Sequence, residues 1–138
     1  MDHQSEFLPR GLTSQQTDHL LTCQEVAGQY SLDALSQMAH SHVQRAHDAY
    51  AENALVNVRL AEAINNVAQK LLESFDSLPD FARSPVRGAI YYFISDDDVE
   101  PDFGSPIGFE DDVDVLNACL ELAHRSDLRI NAEDYDDA

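Results

Sequence analysis

Carboxylates crowd one short stretch of this chain, between an apolar segment and the next helix-like segment. Seven of them fall between Asp96 and Asp111, and Asp112 and Asp114 follow at once. Ca²⁺ and Mg²⁺ prefer oxygen ligands in proteins, so several of these side chains could converge on one such ion. No other cofactor is indicated. The candidate ligands of this metal hypothesis are Asp98, Asp102, Asp111 and Asp112.

The spacing of these carboxylates does not form an EF-hand. Counting from Asp98, the sixth residue is Phe103 where that motif needs Gly, and the twelfth is Phe109 where it needs Glu. A structural role competes with metal binding. Asp111 and Asp112 are predicted to lie in the first turn of a helix, where each negative charge is stabilised by about 0.3–1 kcal/mol. We favour this role, because it explains the pair of aspartates without a bound ion.

Other residues that could bind a metal lack the partners that their chemistry needs. Glu121 and His124 have the Glu-x-x-His spacing of helical di-iron sites, but such sites use two of these pairs and two further glutamates. His19 and Cys23 lie one helical turn apart, and two ligands are too few for a closed zinc site. Neither pair predicts a metal centre by itself.

Three histidines share one predicted helix, and a cysteine lies on another. His42 is directed away from His40, and His47 is two turns from His40, so all three are predicted to be exposed, with a charge change near neutral pH. Cys119 has apolar neighbours, which would raise the pKa of its thiol and make it unreactive. The chain contains no glycine-rich phosphate loop, nucleophile elbow or His-Glu-x-x-His motif. Whether the protein is an enzyme stays open, and these residues favour a protein that is not.

The elements that must position these residues are predicted to be helices, because no stretch alternates β-branched and polar residues as a strand does. Thr13 and Gln16 have the spacing of a capping box, which predicts a helix that runs to about Gly28. The fold class is therefore all-α.

Residues 32–75 contain neither Gly nor Pro, and their apolar residues recur at helical spacing. Ser31 can cap the start of this segment. The segment is one very long helix, or two helices that break between Glu52 and Asn57. A single helix of this length would extend beyond its own core and would need a partner, most simply a second copy of the chain.

The C-terminal part is predicted to form a helical hairpin. Ser84 and Pro85 suit the N-cap and first turn of a helix over Val86–Ile94, whose apolar circumference predicts a place near the centre of the fold. An acidic loop with Pro and Gly follows, and then a second helix from Glu110 to His124. The expected architecture is a bundle of about five helices in one domain, 1–138, with a long-helix region at 13–76, the hairpin at 84–125 and an acidic tail at 126–138 that frays.

The acidic loop carries an ordered set of residues between two apolar helices. Asp-x-x-Pro-Asp comes first, followed by a Pro, a Gly and an Asp-Asp pair. Residues 88–123 in this respect resemble the YkvA-like family, a small bacterial and archaeal domain of unknown function. The resemblance implies a helical hairpin, and it implies no reaction because the family has no established chemistry. The matching residues are Asp98, Pro101, Asp102, Pro106, Gly108, Asp111 and Asp112.

Composition restricts the partners and the location of the protein. Its 138 residues include 26 acidic and 8 basic ones, for a net charge of −18. This charge excludes a nucleic-acid binder that neutralises phosphates, and it opposes docking on an anionic membrane. No apolar run approaches the roughly 20 residues needed to span a bilayer, and residues 1–10 lack the pattern of a signal peptide. Two cysteines within helix-like segments predict a reducing, cytoplasmic location.

Three functions remain as hypotheses. The favoured one is a non-catalytic, acidic interaction module that binds a protein partner or a second copy of itself through residues 32–75. The second is a phosphate mimic that occupies the basic groove of a nucleic-acid-binding protein. The third is a divalent-metal-binding protein or hydrolase, in which carboxylates of residues 96–114 hold a metal that activates water. Adaptation to high salt would also explain the acidity, and it predicts that folding needs salt.

Overall fold

The computed structural model describes residues 9–52, 57–95 and 109–135, and the chain forms five α-helices and no β-strand within them. The all-α prediction is therefore confirmed. Short 3₁₀ turns follow α3 and α5, at Phe75–Ser77, Ser126–Leu128 and Ala132–Tyr135. The helices are α1 (Ser14–Ala27), α2 (Leu32–Glu52), α3 (Val58–Glu73), α4 (Asp80–Ile94) and α5 (Glu110–Leu122).

The first helix begins and ends where its local sequence predicts. The Thr13 hydroxyl accepts a hydrogen bond from the backbone N–H of Gln16, and the Gln16 side-chain oxygen accepts one from the backbone N–H of Thr13, both at 3.0 Å. This reciprocal pair is the predicted capping box. Gly28 forms the C-cap of α1, also as predicted.

The segment 32–75 forms two helices that pack against each other. Ser31 caps α2, as predicted, and the side chain of Asn57 caps α3 by accepting from the backbone N–H of Leu60 at 3.1 Å. Ser36 donates to Gln69 at 2.6 Å near the start of α2, and His47 lies 3.0 Å from Glu62 near its end, so the helices are antiparallel. Most of the apolar stripe is buried inside this one chain, namely Leu35, Ala39, Ala46, Ala61, Ile64, Ala68, Leu71 and Phe75.

The fourth helix is longer than predicted and lies at the centre of the fold. It begins at Asp80, directly after Pro79, so the prediction that Ser84 caps a helix starting at Val86 is wrong. Pro85 lies inside the helix, where it removes one backbone hydrogen bond and adds a buried apolar ring. Helix α4 contacts each of the other four helices, which confirms its predicted central place. No helix in the described ranges has both the length and the apolar character to cross a membrane.

Helix α5 packs on α4 and ends at Leu122, before the predicted end at His124, because His124 adopts a left-handed backbone with φ of 61°. The segment after α5 then packs back against this helix. Asn117 donates to the carbonyl of Ile130 at 2.8 Å and accepts from its N–H at 2.9 Å, and Ile130 is only 5% exposed. The prediction that the tail frays therefore does not hold for residues 126–130.

Candidate functional site: a buried carboxylate beneath an acidic helix face

Asp111 is a buried carboxylate that lies where three helices meet. It belongs to the first turn of α5 and is 6% exposed. One of its oxygens accepts from the side-chain amide of Gln16 on α1, and the other accepts from the hydroxyl of Tyr92 on α4, both at 2.5 Å. Asp111 therefore joins α1, α4 and α5 through hydrogen bonds to a charged acceptor, which are the stronger kind.

The two donors reach Asp111 for local reasons. The capping box holds the Gln16 side-chain oxygen against the backbone of Thr13, so the amide nitrogen of Gln16 is left to donate to Asp111. Tyr92 is fully buried, and the ring of His19 contacts its ring edge-on at a centroid distance of 4.7 Å. The sequence predicts Gln16 as a cap and places Tyr92 in the apolar helix after Pro85, because nothing local connects either residue to Asp111.

Both aspartates of the Asp-Asp pair lie in the first turn of α5, as predicted, and the positive end of the helix dipole stabilises them there. Both side chains are nevertheless buried, since Asp112 is 1% exposed and Asp111 is 6% exposed. The physical reason lies in the residue before the helix. Phe109 is fully buried, with its ring 6.0 Å from that of Phe93 and 6.3 Å from that of His42. Because Phe109 directly precedes α5, its burial brings the first turn of α5 into the protein interior.

The remaining residues of the predicted loop motif, Asp98, Pro101, Asp102, Pro106 and Gly108, lie outside the described residues. Within the described ranges, no three His, Cys, Asp or Glu side chains are grouped so that they could hold a metal ion. The two oxygens of Asp111 already accept hydrogen bonds from protein donors, which disfavours it as a ligand. The four-residue metal hypothesis thus stays a prediction without support from the geometry of Asp111.

Comparisons with protein-family models, with curated proteins and with solved structures found no match. The YkvA-like resemblance stays a prediction.

The three histidines of α2 do not share one environment. His40 and His47 are exposed, as predicted, and His47 lies 3.0 Å from the Glu62 carboxylate. His42 is fully buried, which corrects its predicted exposure. Its ring meets that of Phe93 edge-on at 4.8 Å, and its Nδ1 accepts from the Arg45 guanidinium at 3.2 Å. His42 lies three residues after Ala39 and four before Ala46, both fully buried, so the helical spacing of the apolar stripe includes its position.

The cysteines are also accounted for by packing. Cys119 is fully buried, and its burial raises the pKa of the thiol strongly, as predicted. Its sulfur donates to the backbone oxygen of Pro85 at 3.4 Å. Cys23 is 2% exposed, and neither cysteine forms a disulfide. Neither cysteine is placed to act as a nucleophile, because a thiolate must reach its substrate.

The exposed side of α5 is acidic. Glu110, Asp114 and Glu121 are exposed and, at helical spacing, lie on one side of the helix; we call these three residues the acidic face. Between Arg87 and Arg125 the chain has no lysine or arginine. Partial burial raises the pKa of Asp114, and the charge of Asp111 acts in the same direction. A hydrogen bond with Gln16 and the positive charge of Arg129 oppose this rise.

A small cavity of about 240 Å³ lies at the C-terminal end of the acidic face. Its aromatic part is Phe81, which is 36% exposed and whose ring lies edge-on to that of His124 at 6.4 Å. We call this cavity the Phe81 groove, and its lining includes Arg10, Phe81, Ala118, Glu121, Leu122 and His124. A second cavity, of about 320 Å³, lies between α2 and the end of α4 and is lined in part by Met38.

Proposed function

We propose that this protein is a non-catalytic, acidic interaction module that binds a cationic protein partner through the acidic face of α5. The observation that carries the proposal is the charge pattern of this segment. Glu110, Asp114 and Glu121 are exposed on one side of α5, and the sequence between Arg87 and Arg125 contains no lysine or arginine. A surface of one charge attracts a partner of the opposite charge and speeds its association.

The absence of catalysis in this proposal rests on how the reactive groups are used. Asp111 accepts two hydrogen bonds from protein donors in a buried place, and Cys119 is buried with a raised thiol pKa. A general base or a nucleophile must lie within hydrogen-bonding reach of its substrate. These two residues instead stabilise the contacts between helices.

The acidic face replaces residues 32–75 as the proposed binding surface. The predicted role of that segment in self-association depended on an apolar stripe that needed a partner. Since α2 and α3 bury most of this stripe within one chain, the need for a second copy is removed. The reducing, cytoplasmic location stays a prediction, and the absence of a disulfide between the two cysteines agrees with it.

The proposal is tested by comparing two variants with the same change in charge. The acidic-face variant combines Glu110→Gln, Asp114→Asn and Glu121→Gln. The control variant combines Glu25→Gln, Asp33→Asn and Glu73→Gln, which are exposed on α1, α2 and α3. Each immobilised protein is exposed to an extract of its native cell at about 0.1 M salt, and retained proteins are released at about 0.5 M, where charge interactions between exposed groups are strongly screened.

We expect the wild type and the control variant to retain the same basic proteins, and the acidic-face variant to lose them. Equal loss from both variants would mean that net charge alone is responsible, and the proposal would then be wrong. Release of the retained proteins by added duplex DNA would support the phosphate-mimic alternative. A wild-type chain that unfolds when salt is removed would instead support adaptation to high salt.

A further inference from the structure

The backbone at the end of α5 has a conformation that normally belongs to glycine. His124 has φ of 61°, and the hydrogen bonds around it form a Schellman motif. The N–H of Arg125 donates to the carbonyl of Leu120 at 2.8 Å, and the N–H of His124 donates to that of Glu121 at 3.2 Å. A side chain at this position strains the backbone, which glycine would avoid. Strain of this kind is a reason to look for a function of the side chain.

The strained position places the His124 ring in the Phe81 groove. Its ring is edge-on to that of Phe81, and the two side chains line the groove together with Ala118 and Leu122. Phe81 is one of three large apolar side chains in the described ranges that are exposed by more than a third. The groove thus offers an apolar and aromatic floor that is open to a partner.

The rim of the groove connects it to the acidic face. Glu121 belongs to both. Arg10 and His124 also lie on the rim, so the strongest attraction for a cation is on the Glu121 side. A partner that places an apolar side chain in the groove would therefore bind best if a neighbouring lysine or arginine of that partner contacts Glu121.

We propose that the Phe81 groove receives an apolar side chain of the cationic partner while a neighbouring lysine or arginine of that partner pairs with Glu121. This inference rests on the proposed function and adds the place and the chemistry of the contact. Buried aromatic anchors dominate the energy of many interfaces, whereas exposed charges mainly affect selectivity and association rate. The groove accordingly supplies affinity, and the acidic face supplies selectivity for a basic partner.

Three synthetic helical peptides of equal length serve as probes. The first carries leucine on one helical face and lysine elsewhere, the second has alanine in place of leucine, and the third has glutamate in place of lysine. We expect the wild type to bind the Leu/Lys peptide about 10-fold more tightly than the Ala/Lys peptide, the size of a typical anchor contribution. The Leu/Glu peptide should not bind. Isothermal calorimetry or fluorescence anisotropy measures each Kd.

Two groove variants and two controls locate the contact. Phe81→Ala should abolish the preference for leucine over alanine, whereas Tyr50→Ala and Met38→Ala should preserve it. Tyr50 is 46% exposed on α2, and Met38 lines the second cavity. His124→Gly should also weaken binding of the Leu/Lys peptide, because it removes an aromatic ring from the groove. The same variant should raise the Tm, because glycine relieves the strained backbone. A loss of binding with a gain in stability cannot come from unfolding.

Each negative outcome has a distinct meaning. If neither lysine peptide binds, the proposed function itself fails. If both lysine peptides bind equally well to the wild type, or if Tyr50→Ala acts like Phe81→Ala, the acidic module stands and the groove inference is overturned. A wild type that sediments as a dimer and a Phe81→Ala variant that sediments as a monomer would assign the groove to a second copy, which also overturns it.

Discussion

The hydroxyl of Tyr92 lies 2.5 Å from a carboxylate oxygen of Asp111, and both side chains are buried where α4 meets the first turn of α5. The other oxygen of Asp111 accepts from Gln16 at the same distance. One carboxylate thus connects the helix that begins the described fold with the two helices of the C-terminal hairpin. The acidic face of α5 is oriented by this contact, because Asp111 fixes the start of the helix that carries it.

Tyr92→Phe tests the strength of this contact. The variant removes the hydroxyl and leaves one oxygen of a buried carboxylate without this donor, which should lower the free energy of unfolding by about 1.5–3 kcal/mol. Urea denaturation at pH 7 measures the change. Tyr50→Phe is the matched control, since Tyr50 is 46% exposed, and its effect should stay within about 0.5 kcal/mol. Equal effects of the two variants would contradict a stabilising role for the Tyr92 hydroxyl.

Gly88→Ala tests the close approach of α1 and α4. A Cβ at Gly88 would lie 2.5 Å from Cγ of Gln24 and 3.2 Å from the backbone nitrogen of Gln24, so the Gln24 side chain must move and the backbone of α1 must shift slightly. We expect a loss of about 1–3 kcal/mol in unfolding free energy, as for other overpacked sites. Gly28→Ala is the control. Its Cβ would meet nothing closer than 3.5 Å and its φ is −63°, so it should be neutral or gain up to about 1 kcal/mol.

Asp114→Asn tests a dependence of stability on pH. Burial raises the pKa of Asp114 above its ordinary value of 3.8, so the folded state binds a proton more readily than the unfolded state. This carboxyl therefore contributes less to stability as the pH rises from 3.8 through the raised pKa. At a pH above the raised pKa, Asp114→Asn should have a higher Tm than the wild type. At a pH below 3.8 the two Tm values should be the same. Melting curves from pH 3 to 7 provide the measurement.

Asp127→Asn should show the opposite sign in the same experiment. Hydrogen bonds from the Arg125 guanidinium, at 3.1 and 3.3 Å, lower the pKa of Asp127 below 3.8. Its contribution is present above the unfolded value and is lost as the pH falls through the folded value. The variant should thus be less stable than the wild type only at the higher pH. The same sign for both variants would contradict these two assignments.

Asn117→Ala tests the attachment of the segment after α5. The variant removes both hydrogen bonds to Ile130, which should speed amide hydrogen exchange at Ile130 while the amides of α5 stay protected. Each lost bond should contribute about 0.5–1.5 kcal/mol. Asn131→Ala is the control, because the Asn131 side chain accepts a local hydrogen bond from the backbone N–H of Glu133 and does not bond Ile130 in the described residues. Unchanged exchange at Ile130 would mean that burial alone retains the segment.

Elements of the fold that depend on neighbours within one helical turn are predictable from the sequence. The capping box of Thr13 and Gln16, the cap at Gly28 and the central place of α4 all follow from residue types and spacing. The start of α4 was predicted from a single local signal, and this prediction is wrong. Ser84 before Pro85 has the form of a helix start, yet Pro79 five residues earlier precedes the first residue of the helix.

The candidate site was predictable only in part. Placing Asp111 and Asp112 in the first turn of α5 needs local information alone, and the helix dipole explains it. Their burial depends on Phe109, Phe93 and His42, which come from three different parts of the chain. Likewise, the left-handed backbone of His124 has no local sequence signal such as glycine, although it shapes the Phe81 groove.

By itself the sequence determined the all-α class, the caps of α1 and α2, and the concentration of charge in the C-terminal part, because each depends on residues that are close along the chain. The tertiary structure decided which polar residues are buried. Gln16 donates to Asp111 across 95 positions of sequence, and this contact exists only once the hydrophobic burial of α4 has brought α1 and α5 together. It also decided that most of the apolar stripe of residues 32–75 is covered by its own chain, since two antiparallel helices bury each other's apolar sides without a second copy.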